Sequence, residues 1–263
     1  MYVPPDLVDL KPVDIKFSAI DKTPLHGWYF KSKLKARPES FTVFFHGNAQ
    51  NLTAHYLNLK WMPNKGHNFF IFDYRGYGLS GFVPKIYGKG ERVLSPNQNG
   101  VYKDAMAALN KGYQLFLESK AKKFIVYGQS LGGAILMRAL EDFKYKDKVD
   151  LIILDSTFVS YQGIAFDKMT SAWPLIPFSP LTFILVSDEY AAKKFLLENK
   201  TKTLVIHGRK DFIIPFSFGQ NIFNQLKTKD KSFWEIENGH HIDVFTDKNL
   251  VYREKLHQFI KEK

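Results

Sequence analysis

The 263-residue chain contains no cysteine, which excludes disulfides, thiolate metal sites and a cysteine nucleophile and leaves cytosol and periplasm equally open as compartments. It also lacks any run of ~18 uninterrupted apolar residues, so no segment reads as a membrane-spanning helix. The opening, MYVPPDLVDLKPVD, lacks the basic and then apolar layout of a secretory signal; a chain that starts after a leader or membrane anchor is expected to look the same. Internal repeats, low-complexity tracts and flexible interdomain linkers are missing as well. Acidic residues are in deficit, 26 against 37 lysines and arginines, for a net charge of +11. The lysines are dispersed, with no compact basic run, so the surplus reads as a solvated surface. Nucleic acid is not an expected partner, while peripheral contact with an anionic membrane surface stays open.

What is present is enough apolar residue, 45%, for one sizeable α/β core. Period and punctuation predict strands at Asp14–Ile20, Leu25–Phe30, Phe41–His46, Asn68–Asp73, Phe124–Gly128, Leu151–Leu154, Thr203–His207 and Ser232–Glu237. Helical spacing marks Asn51–Asn64, Gly100–Glu118, Leu131–Phe143, Pro215–Leu226 and Thr246–Lys261. Strand and helix alternate from Phe41 onward, and the runs FTVFF, NFFIF, FIVYG, LIILD and TLVIH are almost continuously apolar. Together these predict an eight-stranded, mostly parallel sheet with helices on both faces, in a single domain. Between Asp155 and Thr203 the alternation breaks. The run WPLIPFSPLTFILV, with prolines at 174, 177 and 180, cannot be one helix. It is expected either to form a small cap within about 158–200, lining a pocket, or to complete the core.

In such sheets, sites form where strands end at their carboxyl side. Ser130 follows the fifth strand in VYGQSLGGA, a G-x-S-x-G pattern. An ordinary glycine-rich turn with a capping serine explains it, and so does a nucleophile elbow that lifts a strained serine above the sheet. His46, Gly47 and Asn48 follow the third strand, Asp155 the sixth, His207 and Asp211 the seventh, His240 and His241 the eighth. The chain order Ser, Asp, His favours the elbow.

A serine hydroxyl needs an imidazole to take its proton, and that imidazole needs a carboxylate to fix its tautomer. The acyl oxyanion then needs backbone N–H donors, each worth ~3–4 kcal/mol. Leu131, opening the next helix, supplies one, and the loop after His46 supplies the other through Asn48. Asp211 is preferred over its rival Asp155 because HGRKDFIIP places it in a loop just past a buried strand, although helix capping would also explain it. His240 is preferred over His241 because it directly follows Asn238-Gly239, although a surface loop histidine would look the same. His46 is expected to shape the oxyanion loop, and His207 to be a satisfied core histidine.

HGNAQN (46–51), DYRGYGLSG (73–81), GQSLGG (128–133), DSTF (155–158), HGRKDFIIP (207–215) and NGHH (238–241), together with LHGWYF (25–30), resemble the serine hydrolases of the α/β-hydrolase superfamily. The nearest branch in pattern is the bud-emergence-like group, related to membrane-anchored abhydrolase-domain lipid hydrolases and depalmitoylases. The resemblance implies Ser130 as nucleophile, Asp211 as acid, His240 as base, Asn48 and Leu131 as oxyanion donors, and no cofactor or metal. The chain departs from the group in an apparent insertion, PKIYGKGERVL (84–94), and in His241, where the group commonly has Asn.

The expected function is hydrolysis of short to medium acyl esters or thioesters, with lipid or acyl-protein substrates included, through an acyl-serine intermediate. Activity should rise through pH ~6–8 as the base deprotonates. A prolyl-oligopeptidase-type peptidase shares the residue order but usually adds a large gating domain. A non-enzymatic binding protein on the same fold would have no need of the full set of residues.

Overall fold

The computed structural model describes residues 4–84, 90–246 and 249–262. Eight strands form one sheet: β1 (Val13–Ser18), β2 (Pro24–Phe30), β3 (Ser40–Phe45), β4 (His67–Asp73), β7 (Lys123–Gln129), β8 (Leu151–Asp155), β9 (Thr203–Gly208) and β10 (Lys231–Ile236). Their spatial order is β1-β2-β4-β3-β7-β8-β9-β10. The pairings of β2 with β1 and β4 are antiparallel and the rest are parallel. The expected mostly parallel eight-stranded sheet is thus observed, with each predicted strand displaced by at most two residues at either end.

β3, β4, β7, β8 and β9 are buried along their whole length or nearly so, as continuously apolar strands require when both faces are covered. One face packs against α2 (Gln98–Ser119), α3 (Leu131–Asp142), α6 (Lys193–Glu198) and α7 (Phe216–Gln225), through residues such as Val43, Val126, Leu109, Leu136 and Ile222. The opposite face packs Trp28, Phe44, Ile71 and Tyr127 against Leu52 and, from α8 (Leu250–Lys261), Leu256 and Ile260. Among the described residues no helix is long and apolar enough to cross a membrane.

One expectation is corrected, one segment is given its form, and one pair of alternatives is narrowed. The helix over 51–64 is broken into α1 (Leu52–His55) and two 3-10 turns, Tyr56–Asn58 and Met62–Lys65. Asn51 caps α1 and the Leu52 amide donates to the Asp73 carboxylate at 2.7 Å, while Pro63 stands in the second turn. The insertion is a two-stranded ribbon of β5 (Phe82–Pro84) and β6 (Glu91–Val93); residues 85–89 lie outside those described. The stretch after Asp155 folds as α4 (Tyr161–Thr170), a 3-10 helix over Trp173–Leu181 and α5 (Thr182–Leu185). Its apolar run does not complete the core: of residues 173–185 only Ser179 and Thr182 are buried.

Two buried imidazoles tie elements together. His67 Nδ1 meets Ser40 Oγ and its Nε2 meets His257 Nδ1, each at 2.8 Å, joining the starts of β3 and β4 to α8. His55 Nε2 donates to Ala49 O at 3.1 Å and its ring stacks on His46, with centroids 4.9 Å apart. Burial, reinforced by a neighbouring imidazole, pushes both down from 6.5 to about 4. Between those values the unfolded chain binds more protons than the folded one. Their contribution is therefore complete above pH 6.5 and is lost as pH falls toward 4, up to roughly 3 kcal/mol per histidine. Urea unfolding should show stability dropping between pH 6.5 and 4.5, with a shallower fall in His67→Asn; a flat profile would contradict the assignment.

Candidate active site

β7 ends at Gln129, α3 begins at Leu131, and Ser130 alone makes the turn, at φ 55 and ψ −128. A non-glycine residue in that region is strained by ~1–3 kcal/mol and persists only where its surroundings enforce it. Here the Ser130 amide donates to Asp155 O at 2.9 Å, and the Ser130 carbonyl accepts from the Thr157 hydroxyl at 2.6 Å and the Gly133 amide at 3.0 Å. The glycines serve close approach. A Cβ on Gly132 would lie 2.2 Å from Phe45 O, and one on Gly128 would lie 2.6 Å from Gly133 Cα. The structure therefore favours the elbow reading over an ordinary capped turn, and Ser130 makes no capping hydrogen bond.

Ser130 Oγ lies 3.0 Å from His241 Nε2, and His241 Nδ1 lies 2.8 Å from Asp211 Oδ2. The imidazole in the constellation is thus His241, and the expectation of His240 is corrected. The turn after β10 closes with the Gly239 amide donating to Ile236 O, and Gly239 O accepts from the Lys210 amide. The same turn lies flat against Gly208, where a Cβ would meet Gly239 O at 2.4 Å. That leaves His240 exposed, its ring 6.2 Å from that of Phe212. The next residue points inward, and Ile242 takes a φ of 54 to leave the turn.

Asp211 is buried. Its Oδ1 accepts from the Ile213 and Ile214 amides at 2.8 and 2.9 Å, and its Oδ2 also lies 3.5 Å from His207 Nε2. Burial opposes its ionisation, but the imidazoles of His207 and His241 and the Ile214 amide outweigh it and hold the carboxyl well below the ordinary range. His207 is buried, with Nε2 against Ile214 O at 2.8 Å.

Asp155 is committed elsewhere: its carboxylate accepts from Tyr127 Oη at 2.6 Å and Gln129 Nε2 at 3.2 Å. Burial pushes it up, against those two hydrogen bonds. Gln129 in turn accepts from Asn58 Nδ2 at 3.0 Å. Sequence reasoning missed this chain from β8 through the elbow to the 3-10 turn after α1. Gln129 and Asp155 are cross-strand partners, a register that no local signal announces.

Asn48 and Leu131 flank the serine. A Cβ on Gly47 would lie 3.0 Å from Ser130 Cβ, which brings the 46–50 loop against Ser130. Leu131 is the first residue of α3, where backbone N–H groups have no partner four residues earlier. Left-handed Ala49 and Gln50, at φ 62 and 60, shape that loop. It is held by His55, by the Tyr74 hydroxyl on His46 O at 3.2 Å and by the Tyr77 hydroxyl on Asn48 Oδ1 at 2.5 Å. His46 Nε2 stands 3.3 Å from Asp73 Oδ1 beneath it. Beside the serine, Leu131, Phe158, Ile164 and Ile214 form an apolar cluster with Ala134, Tyr161 and Phe218. Among the described residues no group of three or more histidines and carboxylates is arranged to hold a metal.

The family model described as serine aminopeptidase, S33, matches residues 36–182. The chain belongs to this family of α/β hydrolases. It is 31% identical over 250 residues to the uncharacterized protein YfhR of Escherichia coli K12, covering 94% of this chain and 79% of that one. It is also 27% identical over 203 residues to protein bem46 of Schizosaccharomyces pombe, covering 76% and 61%. Among solved structures, an esterase from Pyrococcus furiosus superposes with a TM-score of 0.72 at 18% identity, over 99% of this chain and 94% of that one. A monoglyceride lipase from Saccharomyces cerevisiae gives 0.70 at 14% identity, over 97% of each chain. An acylaminoacyl peptidase from Pyrococcus horikoshii gives 0.68 at 20% identity, over 98% of this chain but 42% of that one. At these identities the structures speak for the fold, an α/β-hydrolase sheet with its helices.

A fluorophosphonate should label Ser130 in the wild-type hydrolase and in His240→Gln. His241→Gln should label at least about 10²-fold more slowly, since an unactivated serine hydroxyl is a weak nucleophile. The opposite pattern, read by mass spectrometry of the labelled peptide, would return the base to His240.

Proposed function

We propose that this hydrolase cleaves carboxylic esters or thioesters of short to medium acyl chain through an acyl-serine intermediate. The observation that carries the reading is the continuous line Ser130 Oγ, His241, Asp211, at 3.0 and 2.8 Å. His241 Nε2 takes the hydroxyl proton as Oγ attacks the acyl carbon, and the carbonyl oxygen becomes an oxyanion facing the backbone N–H groups of Asn48 and Leu131. Collapse expels the alcohol or thiol, which receives the proton from His241. Water then repeats the sequence on the acyl-enzyme and releases the acid. Asp211, kept ionised by its imidazole and amide donors, fixes the tautomer with Nδ1 protonated and stabilises the imidazolium.

The cluster of Leu131, Phe158, Ile164 and Ile214 beside the nucleophile supports an acyl-chain subsite, where each buried methylene contributes ~0.8 kcal/mol. Helix α4, within the stretch of about 158–200 read as a small cap, supplies Ile164 to this cluster. The peptidase among the structural neighbours keeps amide cleavage as the competing reading.

Purified protein should hydrolyse p-nitrophenyl esters, and Ser130→Ala should lower kcat by at least about 10⁴-fold with the circular dichroism spectrum unchanged. Across acyl lengths from C2 to C12, kcat/KM should peak between C4 and C8. A steady decline from C2 would remove the acyl subsite, and faster turnover of the matched p-nitroanilides would replace the esterase reading with the peptidase one.

A further inference from the structure

The segment after α4 is inside out. Between Ser171 and Ser187 there is no charged residue. Trp173, Ile184 and Leu185 are 83%, 79% and 76% exposed, with Phe178 and Phe183 more than half exposed. The buried members are the polar ones, Ser179 at 4% and Thr182 at 3%. Their hydroxyls are spent on local backbone, on Ile176 O and Ser179 O at 2.8 and 2.7 Å. Hydroxyls turned in to their own helix carbonyls, with aromatic and aliphatic side chains turned out, reverse the polarity of a water-facing segment. A contiguous surface of this kind marks a site that something apolar covers.

The surface continues to the rim of the site. Lys168 Nζ, near the end of α4, donates to Phe212 O at 3.2 Å. Phe212 itself is 80% exposed, one residue from Asp211 and with its ring beside His240. The helix that leads into the apolar run therefore abuts the loop that carries Asp211.

We infer that this face docks on an anionic lipid bilayer, seating Trp173, Phe183, Ile184 and Leu185 at the level of the headgroups and first methylenes. Tryptophan and phenylalanine without charge on the inserted face suit that boundary. The net charge of +11 complements an anionic leaflet and opposes the alternative cover, a second copy carrying the same charge. The inference deepens the acyl-hydrolase reading by naming where its substrate resides, yet the docking itself involves no catalytic group.

Trp173 also supplies the readout, because the other three tryptophans, Trp28, Trp61 and Trp234, are buried. With vesicles of phosphatidylglycerol and phosphatidylcholine, emission should shift to the blue, and chain-brominated lipid should quench it. Binding should weaken at least tenfold in Ile184→Asp/Leu185→Asp and fall with added salt, while that variant keeps wild-type turnover of soluble p-nitrophenyl butyrate to within twofold. Ser130→Ala should bind like wild type, so failure of the hydrolase reading would leave this result standing. Absence of a shift with folded protein, or binding undiminished in the double variant, would overturn the inference. A lipid-independent blue shift that tracks dimer formation in sedimentation would assign the face to a second copy instead.

Discussion

Everything at the site is arranged around one backbone torsion, the positive φ of Ser130. A strand that is buried on both faces ends abruptly there, and the chain re-enters as a helix with no residue to spare. Holding a serine in that conformation requires that helix α3 come down almost onto β3 and β7. Such an approach is sterically open only if Gly128, Gly132 and Gly133 lack side chains. The close packing of α3 against β7 supplies the stabilisation that offsets the strain. It also sets the first amide of α3 and the serine side chain on the same side of the sheet. The placement of Ser130 and of the first amide of α3 follows from a single packing constraint.

The sheet was largely legible in the sequence because parallel strands covered on both faces are continuously apolar, a signal that depends on composition and not on register. The elbow was legible for a related reason: the glycines it needs are local. The helix expected over 51–64 shows where local reading stops. Its apolar spacing is helical, but the first turn is fixed by the Leu52 amide on Asp73, distant in sequence, and Pro63 in the second 3-10 turn has no N–H with which to continue a helix. The histidine choice failed in the same way. Which of two adjacent residues faces Ser130 depends on how the Gly239 turn rests on Gly208 and Lys210, and that contact spans about thirty positions of sequence. Alternation within a turn cannot be phased from the turn alone.

The run from Trp173 to Val186 was legible only as alternatives: a cap lining a pocket, completion of the core, or contact with a membrane, and of these only completion of the core is set aside. The structure turns most of its apolar side chains outward and buries the two hydroxyl residues, an arrangement that hydropathy cannot distinguish from its inverse.

Two carboxylates, Asp155 and Asp211, stand at the ends of neighbouring strands, and both are buried. Their surroundings drive them apart. Asp155 receives hydrogen bonds from a phenol and an amide, neutral donors that do not overcome the desolvation it suffers, and its pKa is raised. Asp211 receives two backbone amides and faces two imidazoles, and its pKa is lowered. An imidazole that must become cationic as it accepts a proton gains most from a partner whose negative charge is fixed beforehand. Of the two carboxylates, Asp211 is the one held ionised, and it lies 2.8 Å from Nδ1 of His241. Asp155 works through the backbone and through Gln129, bracing the elbow from below. The separation follows from desolvation and donors together: Asp155 is the more deeply buried and has neutral donors, whereas Asp211 has backbone amides and two imidazoles in direct contact.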